Sequence, residues 1–237
     1  MNLLCFPYAG ASSSIFLKWR KYLDGIKIIP VDPPGRGKRM GEPLCKTLEE
    51  MLFDVKNQIM TLADLNEEYS IYGHSMGCLL IFELLHELQD MNMNMPAHVF
   101  LSGKNPPDIA VETSIHLLDD DGFMEKILEM GGVDERLFEN PTFRKLFIPA
   151  LRADLGIVEK YRYKEKRQLL PVDISVFFSS FDSWTDSKYI SNWADFTSGS
   201  FQLYKFDGDH FFIFNQEEKI TGIIKETLSD INNIIPY

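Results

Sequence analysis

The nine residues from Tyr69 to Gly77 constrain this chain more than any other segment. A short apolar run ends in Gly-His-Ser-Met-Gly, and a helical pattern of leucine and phenylalanine begins immediately afterwards. A serine on a tight strand-to-helix turn adopts strained backbone angles that expose its hydroxyl, and flanking glycines let the strand and helix approach closely. The segment therefore predicts a nucleophile elbow with Ser75 at its tip. An ordinary glycine turn with an inert serine is the alternative, which the flanking patterns disfavour.

Short apolar runs alternate with helical patterns along the whole 237-residue chain. The predicted strands cover residues 3–6, 27–31, 70–72, 98–102, 174–178 and 202–206, and the predicted helices cover 15–23, 48–62, 76–89, 187–195 and 217–232. Such alternation is typical of a parallel sheet covered by helices. We therefore predict one α/β domain spanning residues 1–237, with a mostly parallel sheet and helices on both faces.

The stretch from about residue 114 to residue 166 interrupts this alternation between the fourth and fifth strands. It is rich in charged residues and helical patterns, and it contains the pair Gly131-Gly132. Insertions at the carboxyl ends of parallel strands commonly form the ligand-binding parts of an α/β domain. We predict a helical lid over Ser75 that is mobile, especially near the two glycines. A purely structural helical decoration is the alternative.

A nucleophilic serine requires a histidine base, and the base requires an orienting carboxylate. In folds with this kind of elbow the chain order is serine, acid, histidine. Of the five histidines, only His210 follows the last predicted strand, where a loop can return to the serine. The acid should follow the fifth strand, where Asp182 and Asp186 are both available. We favour Asp182, which is closer to the strand end, because Asp186 is placed to cap the next helix.

Acyl transfer also requires backbone donors for the negative charge that develops near the serine. The Met76 N–H is one candidate, because Met76 opens the helix that follows the elbow. The second donor should come from the loop after the first strand, residues 6–10, whose small residues permit close approach. Ala9 is the preferred donor and Tyr8 the alternative. A simple glycine turn with a serine cap is compatible with the same loop.

The composition disfavours several classes of protein. A net charge of −11 argues against binding to nucleic acid or to an anionic membrane surface. The sequence contains no run of 18 or more apolar residues, so no membrane span is predicted. The first residues form a predicted strand rather than a basic secretory leader. The three cysteines, Cys5, Cys45 and Cys78, lack a CxxC spacing and are typical of reduced thiols. We therefore expect a cytoplasmic protein, and we expect it to be a monomer.

Several segments, in their order and spacing, resemble the type II thioesterases that serve nonribosomal peptide and polyketide synthases. The resemblance runs through most of the chain and includes the elbow itself. Its motifs are Phe-Pro-Tyr-Ala-Gly (6–10), Pro-Pro-Gly-Arg-Gly-Lys-Arg (33–39), Gly-His-Ser-Met-Gly (73–77), Leu-Ser-Gly-Lys (101–104), Pro-Ala-Leu-Arg-Ala-Asp (149–154), Glu-Lys-Tyr (159–161) and Gly-Asp-His-Phe (208–211), with Asp182 and Trp193 at a family-like interval. One departure is Ser179-Ser180, where the family usually has a glycine before the acid loop.

The resemblance implies an α/β-hydrolase fold and a Ser75–His210–Asp182 triad, with Met76 and Ala9 as oxyanion donors. It also implies hydrolysis of acyl or aminoacyl thioesters on the phosphopantetheine arm of acyl or peptidyl carrier protein domains, which removes misloaded or stalled groups. No metal or bound cofactor is then needed, because the substrate itself carries the phosphopantetheine. Two other functions share these features: a general carboxylesterase or lipase acting on free esters, and a non-catalytic carrier-binding module.

Basic residues cluster at the end of the predicted lid although the chain is acidic overall; they are Lys160, Arg162, Lys164, Lys166 and Arg167. Carrier proteins are usually acidic, so a local positive patch would steer them during association. This cluster is our first candidate for a docking surface, and Arg36, Lys38 and Arg39 form a second. An ordinary solvated lid edge explains the first cluster equally well.

Overall fold

A six-stranded sheet forms the centre of the protein, whose computed structural model describes residues 1–131, 135–165 and 168–234. Every neighbouring pair of its strands is parallel. The strands are β1 (Asn2–Phe6), β2 (Lys27–Pro30), β3 (Tyr69–His74), β4 (His98–Ser102), β5 (Ile174–Ser179) and β6 (Phe201–Phe206), in the spatial order β2-β1-β3-β4-β5-β6. The predicted mostly parallel sheet is confirmed, and the six predicted strands agree with these bounds to within two residues.

Helices connect and cover the strands. The α-helices in the described ranges are α1 (Leu48–Leu62), α2 (Met76–Asp90), α3 (Asp120–Met130), α4 (Glu135–Phe138), α5 (Pro141–Lys160), α6 (Phe212–Asn215) and α7 (Glu217–Ile234). Short 3₁₀ helices occupy Ser13–Lys21, Gly37–Arg39, Ile115–Leu117 and Ile190–Phe196. No helix in these ranges is both long enough and apolar enough to cross a membrane.

The helices predicted at 48–62, 76–89 and 217–232 correspond to α1, α2 and α7. The two predicted at 15–23 and 187–195 are 3₁₀ helices instead, and their bounds are shifted. In the first of these, Phe16 and Trp19 are both buried against the sheet. Residues three apart lie directly above one another in a 3₁₀ helix, so this geometry aligns the two aromatic side chains on the core.

Two apolar layers form because successive strand residues face opposite sides of the sheet. On one side, residues such as Leu4 and Ile71 pack against α1 and α2. On the other side, Cys5 and Tyr72 pack against the 3₁₀ helix Ser13–Lys21 and against α7. Helices therefore cover both faces of the sheet, as predicted.

The segment between β4 and β5, residues 103–173, is called the insertion below. Within it, α3 and α5 share a small apolar cluster that includes Phe123, Ile127 and Leu151. α3 begins where the Asp119 carboxylate accepts a hydrogen bond from the Gly122 N–H at 2.9 Å. The predicted lid ends at Lys166, which lies outside the described residues, as do Gly132 and Arg167.

Polar contacts divide the insertion into two parts. The buried Glu159 carboxylate on α5 accepts hydrogen bonds from Thr113 Oγ1 at 2.6 Å, Ile115 N at 2.8 Å and His116 N at 3.1 Å. These bonds tie residues 113–116, which precede α3, to the end of α5. Around α3, by contrast, the ion pairs Lys126–Glu129 and Arg152–Asp120 lie at the surface.

Candidate active site

Ser75 lies between β3 and α2, at the carboxyl edge of the sheet. Its φ of 52° and ψ of −113° are strained values for a residue that carries a side chain. The Ser75 N–H donates to the Ser102 carbonyl on β4 at 2.8 Å, which holds the turn. A Cβ atom at Gly77 would lie 2.5 Å from the Phe6 carbonyl oxygen, so only glycine fits there. The strand–turn–helix geometry of an elbow is therefore present.

Asp182 and His210 lie on two neighbouring loops, which follow β5 and β6. The Asp182 Oδ2 atom is 2.9 Å from His210 Nδ1, and the two residues are only 4% and 5% exposed. The other Asp182 oxygen accepts a hydrogen bond from the Trp184 N–H at 2.8 Å. A carboxylate on Nδ1 orients the imidazole and leaves Nε2 for a reacting group.

Asp186, the alternative acid, is directed elsewhere. Its carboxylate accepts a hydrogen bond from the Lys188 N–H at 3.1 Å and pairs with Lys188 Nζ at 2.9 Å. Its own N–H donates to Asn105 Oδ1 at 3.0 Å. Asp186 therefore stabilises the exposed turn before the 3₁₀ helix Ile190–Phe196, and the residue next to His210 is Asp182.

Ser179 joins the acid loop to the histidine loop. Its buried hydroxyl donates to the Gly208 carbonyl at 2.5 Å and accepts a hydrogen bond from the Phe181 N–H at 3.1 Å. A glycine, the residue that the family usually has before this loop, could make neither bond. The departure noted in the sequence therefore adds a link between the loops that carry Asp182 and His210.

A second histidine, His74, packs beside His210 with 5.0 Å between the ring centroids. Its Nδ1 atom is 3.0 Å from Ser102 Oγ, and the residue is completely buried. Burial, together with the neighbouring His210, lowers the pKa of His74 well below its usual 6.5. His74 is therefore neutral near pH 7 and places no second positive charge beside a protonated His210.

The two predicted oxyanion donors come from different elements, the start of α2 and the turn after β1. Met76 is the first residue of α2, where backbone N–H groups have no partner within the helix. Ala9 lies in a tight turn after β1, in which the Ala11 N–H donates to the Tyr8 carbonyl at 3.1 Å. In the part of the chain that the structure describes, the Ala9 N–H makes no hydrogen bond. Both N–H groups are therefore available to an oxygen held near Ser75.

Sequence reasoning missed one buried ion pair at this edge. The Arg36 guanidinium and the Asp154 carboxylate form a bidentate pair, with Nη2 2.9 Å from Oδ1 and a second contact between Nη1 and Oδ2. Both residues belong to motifs that resemble the family, but neither motif indicates that the two meet. Their joint burial, 4% and 0% exposed, is visible only in the structure.

Ser75 and His210 open into one small pocket beneath the insertion. Its volume is about 50 Å³, and its walls include Ala9 from the first loop and Leu151 from α5. Pockets that bind small molecules are typically larger, about 300–1,000 Å³. The described conformation is therefore closed around the serine.

The described residues of the first basic cluster, Lys160, Arg162 and Lys164, line a cleft of about 500 Å³ whose walls also contain acidic residues. Lys160 and Lys164 are exposed there. Arg162, however, donates to the carbonyls of Glu159 at 2.8 Å and Tyr161 at 2.7 Å, and so caps the end of α5. The first cluster therefore offers Lys160 and Lys164 as exposed cations.

The second basic cluster is largely neutralised. Arg36 is buried against Asp154, and Arg39 pairs with both Glu42 and Asp54. Only Lys38 of this cluster is an exposed cation outside these pairs. This face is consequently a weaker candidate for docking an acidic partner.

Comparison with known proteins identifies the family. The model of the family described as "Thioesterase domain" matches residues 1–228. Linear gramicidin dehydrogenase LgrE of Brevibacillus parabrevis is 33% identical over 235 residues, which cover 95% of this chain and 87% of LgrE. The crystal structure of ClbQ from the colibactin NRPS/PKS pathway has a TM-score of 0.92 at 32% identity and covers 99% of both chains. The RedJ thioesterase of Streptomyces coelicolor, from the prodiginine pathway, has a TM-score of 0.87 at 29% identity, covering 95% of this chain and 84% of RedJ.

Although LgrE is named as a dehydrogenase, the family match covers nearly the whole chain, and its relatives include type II thioesterases of nonribosomal peptide and polyketide pathways. The α/β-hydrolase fold and the enzyme class inferred from the sequence are thereby confirmed. The chain belongs to the thioesterase domain family and is a hydrolytic enzyme of that family.

Proposed function

We propose that this enzyme hydrolyses acyl and aminoacyl thioesters on the phosphopantetheine arm of carrier protein domains, and so clears misloaded or stalled groups from a peptide or polyketide synthase. The proposal depends mainly on one observation: Ser75 and His210 line the same pocket, and His210 is hydrogen-bonded to the Asp182 carboxylate. The origin of ClbQ in an NRPS/PKS pathway supports the choice of carrier domains as partners.

The chemistry follows from the proposed roles of these residues. Ser75 Oγ attacks the thioester carbonyl while neutral His210 takes the proton of the Ser75 hydroxyl. Asp182 then stabilises the resulting imidazolium. The oxyanion then lies between the N–H groups of Met76 and Ala9, each contributing about 3 kcal/mol to the transition state. His210 gives this proton to the sulfur atom of the leaving pantetheine as the C–S bond breaks. His210 then takes a proton from water, whose oxygen attacks the acyl-serine, and passes it to Ser75 Oγ as the acid is released. The proposed mechanism uses no metal or bound cofactor.

Access to Ser75 requires the insertion to move, because the closed pocket is too small for an extended arm and its acyl group. We propose that α3, which is followed by its C-cap Gly131 with a φ of 77°, opens while the second half of α5 stays in place. Hydrogen exchange should then be faster in α3 than in residues 150–160, and a bound acyl carrier should change the α3 rates. Equal protection of both helices, in free and carrier-bound enzyme, would contradict this gating.

We place the reaction in the cytoplasm, in the company of such a synthase. The support is that all three cysteines are free and buried, as is usual for proteins of reducing compartments. Exposed Lys160 and Lys164 are the proposed contacts for the acidic carrier, since complementary charge accelerates docking.

Two measurements test the proposal against its alternatives. The kcat/KM for an acyl group on a carrier protein should far exceed that for the same acyl group on a simple oxygen ester. The reverse order would identify a general esterase or lipase. A fluorophosphonate should label the wild-type enzyme at Ser75 and leave the Ser75→Ala variant unlabelled. No labelling of a folded wild-type enzyme would favour a non-catalytic carrier-binding module.

A further inference from the structure

The turn that contains Ala9 is hydrogen-bonded to a residue of the insertion. The Gly10 N–H donates to Asp154 Oδ2 at 2.7 Å, and Asp154 lies on α5, far away in sequence. Gly10 has a φ of 77°, and a Cβ atom there would lie 3.0 Å from Leu151 Cβ. The turn and α5 are thus in direct contact, and the Asp154 carboxylate is the polar part of that contact.

Arg36 holds the carboxylate that holds the turn. Its guanidinium binds both oxygens of Asp154 and also donates to the Pro34 carbonyl, with Nη2 at 3.1 Å. The three groups therefore form a chain from the loop after β2, through α5, to the turn after β1. In this arrangement the Asp154 carboxylate cannot turn away from Gly10 without breaking the bidentate pair.

Stability alone does not account for such a pair. Two buried charges lose their hydration, and apolar residues of similar volume are often as stabilising. What apolar residues cannot supply is an acceptor for the Gly10 N–H. If the Ala9–Gly10 peptide rotated, the Ala9 carbonyl oxygen would approach the carboxylate and be repelled, so Asp154 favours one orientation of that peptide.

We propose that Asp154 is a positioning residue for the oxyanion site. Held by Arg36, it fixes the Gly10 end of the turn. The other end is fixed by the Ala11 N–H, which donates to the Tyr8 carbonyl at 3.1 Å, so the Tyr8–Ala9 peptide is held with its Ala9 N–H directed at the developing oxyanion. The inference rests on the proposed function, in which Ala9 is a donor to the tetrahedral intermediate. On this inference, α5 helps to position an oxyanion donor and does not only cover the active site.

The main test replaces the ion pair with apolar residues of similar size, Arg36→Met with Asp154→Leu. This double variant leaves no unpaired buried charge but removes the acceptor for Gly10. We expect kcat on an acyl-pantetheine thioester to fall about 10²- to 10³-fold, as for the loss of one oxyanion donor, with KM changed by less than about threefold. A trifluoromethyl ketone that forms a tetrahedral adduct with Ser75 should lose affinity by a similar factor.

Two matched variants make the test specific. Arg36→Lys disrupts the bidentate geometry but leaves Asp154 to accept from Gly10, so its kcat should fall much less than that of the double variant. Glu42→Gln, which breaks a surface ion pair with Arg39 close in sequence to Arg36, should leave both constants unchanged. If the double variant does not fold, Asp154→Ala, which also removes the acceptor for Gly10, takes its place, measured well below its Tm, with the same expected loss of kcat.

The outcomes separate this inference from the proposed function. A folded double variant with wild-type kcat and wild-type affinity for the ketone would overturn the positioning role. The positioning role would also be overturned if the loss of kcat in Arg36→Lys and in the double variant simply followed their loss of Tm. The ion pair would then be purely structural. Wild-type enzyme without Ser75-dependent turnover would instead contradict the proposed function.

Discussion

The catalytic edge of the sheet and the insertion above it are held by different kinds of contact. At the edge, Ser75, Asp182 and His210 are fixed by hydrogen bonds between adjoining loops and strands, and these bonds are buried. In the insertion, Asp154 and Glu159 on α5 make buried polar contacts, whereas the ion pairs around α3 are exposed. We therefore infer that the catalytic residues and the part of the insertion proposed to open are held independently, and that α5 contacts both.

Removing the nucleophile tests the catalytic edge most severely. Ser75→Ala should lower kcat by roughly 10⁶-fold, because the members of a triad act as a unit. Its Tm should stay close to that of the wild type, since the change removes only a hydroxyl. His210→Ala should be comparably damaging in the same steady-state assay. A Ser75→Ala enzyme that keeps a tenth of its activity would refute the nucleophile assignment.

Substituting each of the two candidate acids tests whether catalysis depends on the buried carboxylate and not on the exposed one. Asp182→Asn should lower kcat about 10⁴-fold, because an amide favours the wrong tautomer of His210. Asp186→Asn should leave kcat unchanged, since its carboxylate pairs with Lys188 at the surface. Measuring both variants on one acyl thioester makes the comparison direct. A larger loss of kcat in Asp186→Asn than in Asp182→Asn would identify Asp186 as the acid of the triad.

Within the insertion, Glu159→Gln tests the anchored part. Hydrogen bonds from Thr113, His116 and Ile115 outweigh the opposing effect of burial and hold the pKa of Glu159 below its usual 4.5. Its stabilisation is thus present at neutral pH and is lost as the pH falls below 4.5 through the folded pKa. We expect Glu159→Gln to lower the free energy of unfolding by about 2 kcal/mol at pH 7.

Urea denaturation at pH 7 and at pH 3.5 measures this effect, which should shrink at the lower pH. Glu129→Gln, which removes an exposed ion pair with Lys126, serves as the control and should not change the stability measurably. Equal effects of the two substitutions would remove the distinction between anchored and loosely held parts of the insertion.

The smallest effect is expected at the docking surface. Changing Lys160 and Lys164 to Glu should raise KM for an acyl carrier roughly tenfold at low salt, because the reversed charges repel an acidic partner. Turnover of a small acyl thioester should barely change, and the KM effect should fade in 1 M salt. Arg162 is left intact because it caps α5. An equal rise in KM for both substrates would indicate damage to the insertion.

The sequence predicted the parts of this molecule that rest on local patterns. The six strands follow from apolar runs between turns, and α1 matches its predicted bounds, with Thr47 as its N-cap. The elbow was also predictable, because glycine, serine and glycine at fixed spacing lie between a strand pattern and a helix pattern. Local periodicity could not distinguish α-helix from 3₁₀ helix at Ser13–Lys21, where the packing of Phe16 and Trp19 decides the geometry.

The parts that depend on distant residues were not predictable. The spacing after β5 allowed Asp182 or Asp186 to be the acid, and the structure separates them because His210 contacts Asp182 while Asp186 pairs with Lys188. The ion pair of Arg36 with Asp154 has no local signature, since each side chain alone reads as an ordinary exposed charge. A pairing pattern across many related sequences would be needed to find it from sequence.

The separation of Arg36 and Asp154, 118 positions along the chain, has a consequence for the order in which the protein matures. Contacts this distant close late, because a long loop must be ordered before they form. The sheet and the elbow can assemble while α5 is still undocked, but the turn at Ala9 then lacks its anchor. A partly folded chain would carry an exposed serine without a complete site to activate it. Appearance of thioesterase activity during refolding should therefore coincide with the last step of folding.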